Sequence, residues 1–410
     1  MKRYVIIGNG AAAAGCIEGI RSHDREGGIT VVSEERHPVY SRPLISYLLQ
    51  GRTDTERMRY RPEDFYSRNG CRVLYGRTAV SIDPEARSVI LDDGTDLPYG
   101  ELCVATGSRP FVPPFEGLDS VENRFSFMTL DDALSLKAAL TKDSKVLIAG
   151  AGLIGLKCAE GIRDIAGKIT VFDMADRVLS SILDAECAAA VQKHLENSGI
   201  EFMLGDTASR FESGRAVMKS GREADFDVLV LAVGVRANSG LVRDAGGKVN
   251  RGIIVDSGMR TSLKNVYAAG DCAEGYDASL GENRVLAIMP NAYMQGCAAG
   301  TNMAGGKAVF DTGISMNSIG LFGLHIMSAG TYDGEMSETS ENGSLRRFFV
   351  KDGLLKGFMI IGETDRAGIY TSLVRERIPL ETLDFDLAKK VASNMIFSQD
   401  MRRKKFGGVV

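Results

Sequence analysis

Lys2-Arg3-Tyr4-Val5-Ile6-Ile7-Gly8-Asn9-Gly10-Ala11-Ala12-Ala13-Ala14-Gly15 is the stretch that decides how the chain is read. Tyr4 to Ile7 is a short apolar, β-branched run, the pattern of a buried parallel strand. Gly8 permits the tight turn that leaves it. Gly10 lets the backbone come close to a pyrophosphate, and Ala13 takes the third small position, where helix packs on strand. Ala11 to Ile20 suits a helix whose N-terminus offers unpaired N–H groups and a positive dipole end to phosphate. Such turns also occur without a ligand, so the other half of a nucleotide site has to be sought elsewhere in the chain.

At 410 residues the chain is too long for one core, and two or three domains are expected. The net charge of −4 and the absence of a basic stripe argue against nucleic acid as a partner. The apolar run before Gly8 is far too short for a signal-peptide core or a membrane span, so no membrane association and a cytoplasmic location are expected. Cysteines stand singly at 16, 71, 103, 158, 187, 272 and 297, and no histidine lies near another. The reading is reduced, mostly buried thiols and no metal site.

Further along, Gly28 to Ser33 reads as a second strand, followed by Glu34 and Glu35. An acid there can hydrogen-bond a ribose 2′-hydroxyl; Glu34 is the first candidate and Glu35 the second. Tyr40-Ser41-Arg42-Pro43 is a stiff loop entering a helix, with the Arg42 guanidinium close in sequence to the phosphate site. Residues 71–98 read as a β-meander with a turn at Asp92-Asp93-Gly94. A strand over Tyr99 to Ala105 leads into Thr106-Gly107-Ser108-Arg109-Pro110, which looks like a domain crossing.

The opening pattern then returns in full at Gly150-Ala151-Gly152-Leu153-Ile154-Gly155, after an apolar run from Lys145. The next strand ends at Asp173, whose carboxylate accepts from a free 2′-hydroxyl and repels a 2′-phosphate, favouring NADH over NADPH. A buried strand over 226–235 contains Gly234. Another ends in Ala269-Gly270-Asp271 and would aim a carboxylate into a ligand crevice. Met289-Pro290-Asn291-Ala292 opens a helix. From about 313 the character changes, with strands at 345–350 and 354–361 and a helix at about 366–377. The basic run Arg402-Arg403-Lys404-Lys405 is a solvated helix face or a docking patch for an acidic partner.

Together, Gly8-x-Gly10-x-x-Ala13, Tyr40-Ser41-Arg42-Pro43, Ala105-Thr106-Gly107-Ser108-Arg109-Pro110, Gly150-x-Gly152-x-x-Gly155, Val233-Gly234-Val235-Arg236-x-Asn238 and Ala269-Gly270-Asp271 resemble the FAD-dependent pyridine nucleotide–disulfide oxidoreductase superfamily. The Tyr-Ser-Arg-Pro loop is similar to rubredoxin and ferredoxin reductases and to the flavin module of NADH-nitrite reductase large subunits. The run Met316 to Leu324 is similar to that last branch. The resemblance implies an α/β fold of two Rossmann-like, three-layer ββα dinucleotide-binding domains plus a smaller α+β C-terminal domain with a helical tail. Residues 1–111 and 239–312 would bind FAD, 112–238 would bind NADH, and 313–410 would form the third domain. Gly8, Gly10, Ala13 and Glu34 would meet the ADP half of FAD. Arg42 and Pro43 would lie beside the flavin, with Asp271 on the ribityl chain and Pro290, Asn291 and Ala292 at the pyrimidine edge, and Ala105, Thr106, Gly107 and Arg109 would also belong to the cofactor-binding set. Gly150, Gly152, Ile154, Gly155, Asp173 and Gly234 would belong to the nicotinamide nucleotide site.

Two departures narrow the chemistry. The loop and helix from Tyr40 to Gln50, where disulfide reductases carry a redox cysteine, hold none. No His-Pro pair follows near the C-terminus, so thiol–disulfide chemistry by that route is excluded. Cys272 reads as small apolar filler. The lysine expected near the flavin reads Tyr47, and the glutamate expected two residues after Gly155 reads Lys157. Lys157 either reaches the flavin–nicotinamide contact, where it would stabilise negative charge on the reduced flavin, or points to solvent. The expected activity is an FAD-dependent NADH oxidoreductase passing electrons to a small redox protein or a partner subunit. The alternatives are an NADH oxidase reducing O₂ to peroxide and a non-catalytic redox sensor. Oligomeric state stays open, a homodimer included.

Overall fold

A computed structural model describes residues 2–341 and 343–406. The opening strand, Arg3–Ile7, lies at the centre of a five-stranded parallel sheet. Its neighbours run Val266–Ala268, Glu101–Val104, Arg3–Ile7, Gly28–Ser33 and Cys71–Tyr75. A buried central strand needs apolar residues on both faces, and Tyr4 to Ile7 are all at most 4% exposed. The helices Ala11–Arg21 and Met289–Met303 cross closely on this sheet. Glycine permits that approach: a Cβ at Gly15 or Gly19 would collide with the Tyr293 or Cys297 carbonyl, and one at Gly296 or Gly300 with the Ala12 or Cys16 carbonyl. An antiparallel meander of Ala79–Asp83, Ser88–Leu91 and Asp96–Pro98 adds Ile82, Val89 and Leu91 to the same core.

The expected meander over 71–98 is therefore shorter. Cys71–Tyr75 is instead the edge strand of the parallel sheet, in register with Ile29 to Ser33. A half-buried edge strand and a meander strand carry the same mixed polarity, so the pattern alone does not separate them.

The second unit repeats the plan. Its parallel sheet runs Ile200–Leu204, Lys168–Asp173, Lys145–Ala149, Val228–Leu231 and Arg124–Ser126. Alternation sorts its side chains into two layers. Val146, Ile148, Val228 and Val230 pack with the helices Leu153–Ile162 and Ala185–Asn197. Leu147, Ala149, Leu229 and Leu231 pack with Phe211 and Met218 of a second meander, Ala208–Glu212, Arg215–Met218 and Glu223–Asp225, and with Phe226 just after it. The chain passes between the units through Ser108–Pro110 and Val235–Ala237, which pair antiparallel.

The last unit is a five-stranded antiparallel sheet ordered Met316–Leu321, Leu324–Gly330, Leu354–Ile361, Ser344–Lys351 and Glu335–Glu341, with the helix Gly368–Arg375 against it. Two of its strands were legible in sequence. Three were not, because the edge strands are polar and the hairpin Met316–Gly330 carries no alternating pattern. Of the basic run, Lys404 and Lys405 have side chains outside the described residues. Among the described residues no helix is long and apolar enough to cross a membrane.

Candidate functional site

The two glycine turns have the same geometry. Gly8 has φ +107° and donates its N–H to Val32 O at 2.8 Å; Gly150 has φ +111° and donates to Phe172 O at 2.8 Å. A Cβ at Gly8 would strike the Ala105 carbonyl, and one at Gly150 the Ala232 carbonyl. Gly10 and Gly152 each cap the following helix without a side-chain bond, and nothing lies within 4 Å of where their Cβ atoms would be. Both helix N-termini thus open onto space with their first-turn N–H groups unclaimed by a cap, which fits two phosphate cradles. The third small positions are filled as expected: Ala13 is fully buried, and a Cβ on Gly155 would meet the Gly150 carbonyl. Ile154, in that same first turn, packs against the core of its unit.

Acids stand at the strand ends. Asp173 closes its strand and is oriented by two backbone donors, Ala151 N–H on Oδ2 at 2.7 Å and Ala175 N–H on Oδ1 at 2.8 Å. The matching end of the first unit is Ser33, because Ile7 pairs with Val32 as Ala149 pairs with Phe172. Glu34 follows one residue later and is exposed. Glu35 is committed elsewhere: it accepts from Arg42 Nη2 at 2.5 Å and from Tyr40 OH at 2.6 Å. The Tyr40 hydroxyl in turn accepts the Leu130 N–H at 2.8 Å, which ties this loop to the second unit.

Gly270 turns the next strand end with φ +84°, and its N–H is fixed by Gln295 Oε1 at 2.7 Å. The next residue, Asp271, accepts from Ser108 Oγ at 3.3 Å. Burial pushes its carboxyl above the ordinary range, against the opposing pull of Ser108 and the Arg42 charge. Thr106 and Gly107 are locked to the returning segment: Thr106 Oγ1 donates to Asn238 O at 2.7 Å and Asn238 N–H donates to Gly107 O at 2.9 Å. Gly234, at φ +111°, accepts Phe111 N–H at 2.9 Å, while Arg109 and Pro43 are exposed. Pro290 sits in the first turn of its helix, next to buried Ala292. Asn291 is fully buried and donates Nδ2–H to Ile314 O at 2.8 Å, while its Oδ1 and the Gln295 Nε2 have no partner. The orphaned Asn291 Oδ1 and the desolvated Asp271 are groups that a polar ligand would complete, whereas the Gln295 Nε2 lies against Gly275.

Lys157 does not point to solvent. Its side chain is 17% exposed; Nζ lies 4.7 Å from the Tyr47 ring centroid, pairs with Glu160, and donates to Gly320 O at 3.1 Å. Cys272 is fully buried with Sγ against the Val104 and Ala269 carbonyls, both at 3.3 Å, and burial pushes its thiol up to about 11. It is filler, as the sequence indicates. Sequence reasoning assigned no role to Gln295, Ser108 or Glu160, whose partners Gly270, Asp271 and Phe322 are distant in the chain, and it offered Glu35 to a ribose where the structure pairs it with Arg42 and Tyr40.

The pyridine nucleotide–disulphide oxidoreductase family matches residues 2–296. The chain belongs to this family. It is an FAD-dependent oxidoreductase that uses NADH. The epsilon subunit of NADH-dependent phenylglyoxylate dehydrogenase from Aromatoleum evansii is 31% identical, over 93% of this chain and 93% of its own. The assimilatory nitrate reductase electron transfer subunit of Bacillus subtilis is also 31% identical, over 95% of this chain but only 50% of its own length. The fold is that of the reductase in a crystal structure of a covalent putidaredoxin reductase–putidaredoxin complex, with a TM-score of 0.88 at 22% identity over 96% of this chain and 97% of that one.

Proposed function

We propose that the chain is the NADH-oxidising component of a larger electron-transfer system, and that its acceptor is a small redox protein or a partner subunit. The observation that carries the reading is the pair of open glycine turns joined to a loop without a cysteine, with Cys272 held inert nearby. When bound, FAD supplies a centre that takes a hydride from NADH and releases electrons onward singly or in pairs. The protein's own work is binding and orientation. Gly8, Gly10 and Ala13 shape the first cradle, and exposed Glu34, one residue past the strand end, would accept from the ribose. Arg42, steadied by Glu35, and Pro43 border the crevice with Ala105, Thr106, Gly107 and Arg109. Asp271, set by Gly270 and Ser108, would accept from hydroxyls of the bound cofactor, and Pro290, Asn291 and Ala292, in the first turn of their helix, would border its ring. Gly150, Gly152, Ile154, Gly155, Asp173 and Gly234 do the same for NADH. Lys157 acts at the seam between the two sites, through the Tyr47 ring.

On this reading residues 1–111 with 239–312 form the FAD unit, 112–238 the NADH unit, and 313–410 the third. The seven free cysteines support a reducing cytoplasm as its compartment. Anaerobic reduction by NADH, followed by a screen of O₂, quinone, ferricyanide and rubredoxin, tests the acceptor. Fast reoxidation only by the redox protein is expected. Rapid turnover with O₂ to peroxide would make it an oxidase instead.

A further inference from the structure

Glu160 joins all three units of the molecule at one point. It lies on the helix Leu153–Ile162, and its side chain is 8% exposed. Its Oε2 takes the Lys157 ammonium, and its Oε1 accepts the Phe322 N–H at 2.7 Å. Its main-chain carbonyl accepts from Gln50 Nε2 at 3.4 Å. Phe322 is the turn of the hairpin Met316–Gly330 of the third unit, held at φ +50°. Gln50 and Tyr47 lie on the other side, just beyond Arg42. The helix segment Ile45–Leu49 packs on Leu153–Ile162 closely enough that a Cβ on Gly161 would press on Ser46. The Tyr47 ring carries two cations, Lys157 Nζ at 4.7 Å and Arg52 Cζ at 4.9 Å from its centroid.

The cluster lies on the seam where the helix Ile45–Leu49, just after the Arg42 loop, packs on Leu153–Ile162, the helix that follows the second glycine turn. The Arg42 loop leads into it from one side and the helix beginning at Gly152 from the other. A hydride passes only between rings in contact, so the two reactive rings have to meet along such a seam. A carboxylate this buried is tolerated only with partners for both oxygens, and here one partner comes from each of two units.

Resting on the FAD and NADH reading above, we infer that Glu160 is a positioning residue for the reaction: it holds the Lys157 ammonium on Tyr47, neutralises its charge, and couples both to the third unit through Phe322. The pair therefore sets the local potential at the seam. Glu160→Gln keeps the side-chain shape and leaves the ammonium uncompensated, so the charge of the Lys157–Glu160 pair goes from zero to plus one. Lys157→Met leaves it at minus one, and the double variant returns it to zero.

The test is the reduction potential of the bound FAD, measured anaerobically against reference dyes in the full-length holoprotein. Extra positive charge favours the electron-rich reduced flavin. The expected result is a higher potential in E160Q, a lower one in K157M, and a value close to the wild type in the double variant. Unchanged potentials, shifts of the same sign in both single variants, or loss of FAD from E160Q while the wild type holds it would each overturn the inference, the last by making the pair a folding element only. A wild-type chain that holds no FAD would contradict the flavin reading itself and not this residue's role.

Discussion

Asp271 is a carboxylate placed where its charged form is disfavoured. Burial raises its folded-state pKa, so the folded chain without ligand holds this proton more tightly than the unfolded chain does. The sign follows: the group costs stability above the ordinary aspartate value of about 3.9, and the cost disappears below it. D271N should therefore melt higher than the wild type as apoprotein at neutral pH, with the gain fading in acid, while binding FAD roughly 10- to 100-fold more weakly, because one accepting oxygen and the charge on the other are lost. Calorimetry of the apoprotein and flavin titration read the two effects separately. Asp173 makes a different prediction, because both its oxygens already hold backbone N–H groups. D173S should lower kcat/KM for NADH by about tenfold or more and affect NADPH less, since the 2′-phosphate gains relief from repulsion.

At the scale of elements, legibility depended on whether the signal was local. The strands at 3–7 and 145–149 and the turns at Gly8 and Gly150 declare themselves within a dozen residues, because burial on both faces and a positive φ each restrict the residue types allowed. Asp271 was legible from the Gly-Asp strand end. Gln295, which fixes the turn before it, was not: it stands 25 positions away and becomes meaningful only when helix and strand are packed. The third unit was hardest, since its strands Met316–Leu321 and Glu335–Glu341 are edges with little apolar demand. What binds that sheet to the NADH unit is also non-local. Arg347 is 6% exposed and pairs with Asp184, Glu186 and Glu338, while Tyr332 OH donates to Ile182 O at 2.6 Å. R347M should lower unfolding stability by about 1 kcal/mol, because it leaves three carboxylates facing one another without their shared cation, and their exposure to water screens the repulsion. Asp184 is opposed by its burial but held below the usual carboxylate range by the Cys187 N–H and Arg347. Its stabilisation is present above pH of about 3.9 and fades as pH falls through the depressed value, so the wild type should lose its advantage over R347M in acid denaturation.

At the scale of the whole molecule, two copies of one layered plan face each other across a short antiparallel crossing, and a third sheet sends the hairpin tip at Phe322 into the second copy. The duplication makes the function readable: a single cradle fits many nucleotides, whereas two with a shared seam fit a donor and an acceptor of hydride. The loop at 40–50 then removes thiol chemistry by having no cysteine to offer, which leaves the electrons to go outward. The most direct test is anaerobic stopped-flow mixing of the purified yellow holoprotein with NADH. Rapid loss of the oxidised-flavin absorbance at sub-millimolar NADH, with NADPH much slower, is the predicted result. A protein that carries no flavin, or whose flavin stays oxidised in the presence of NADH, would contradict the account.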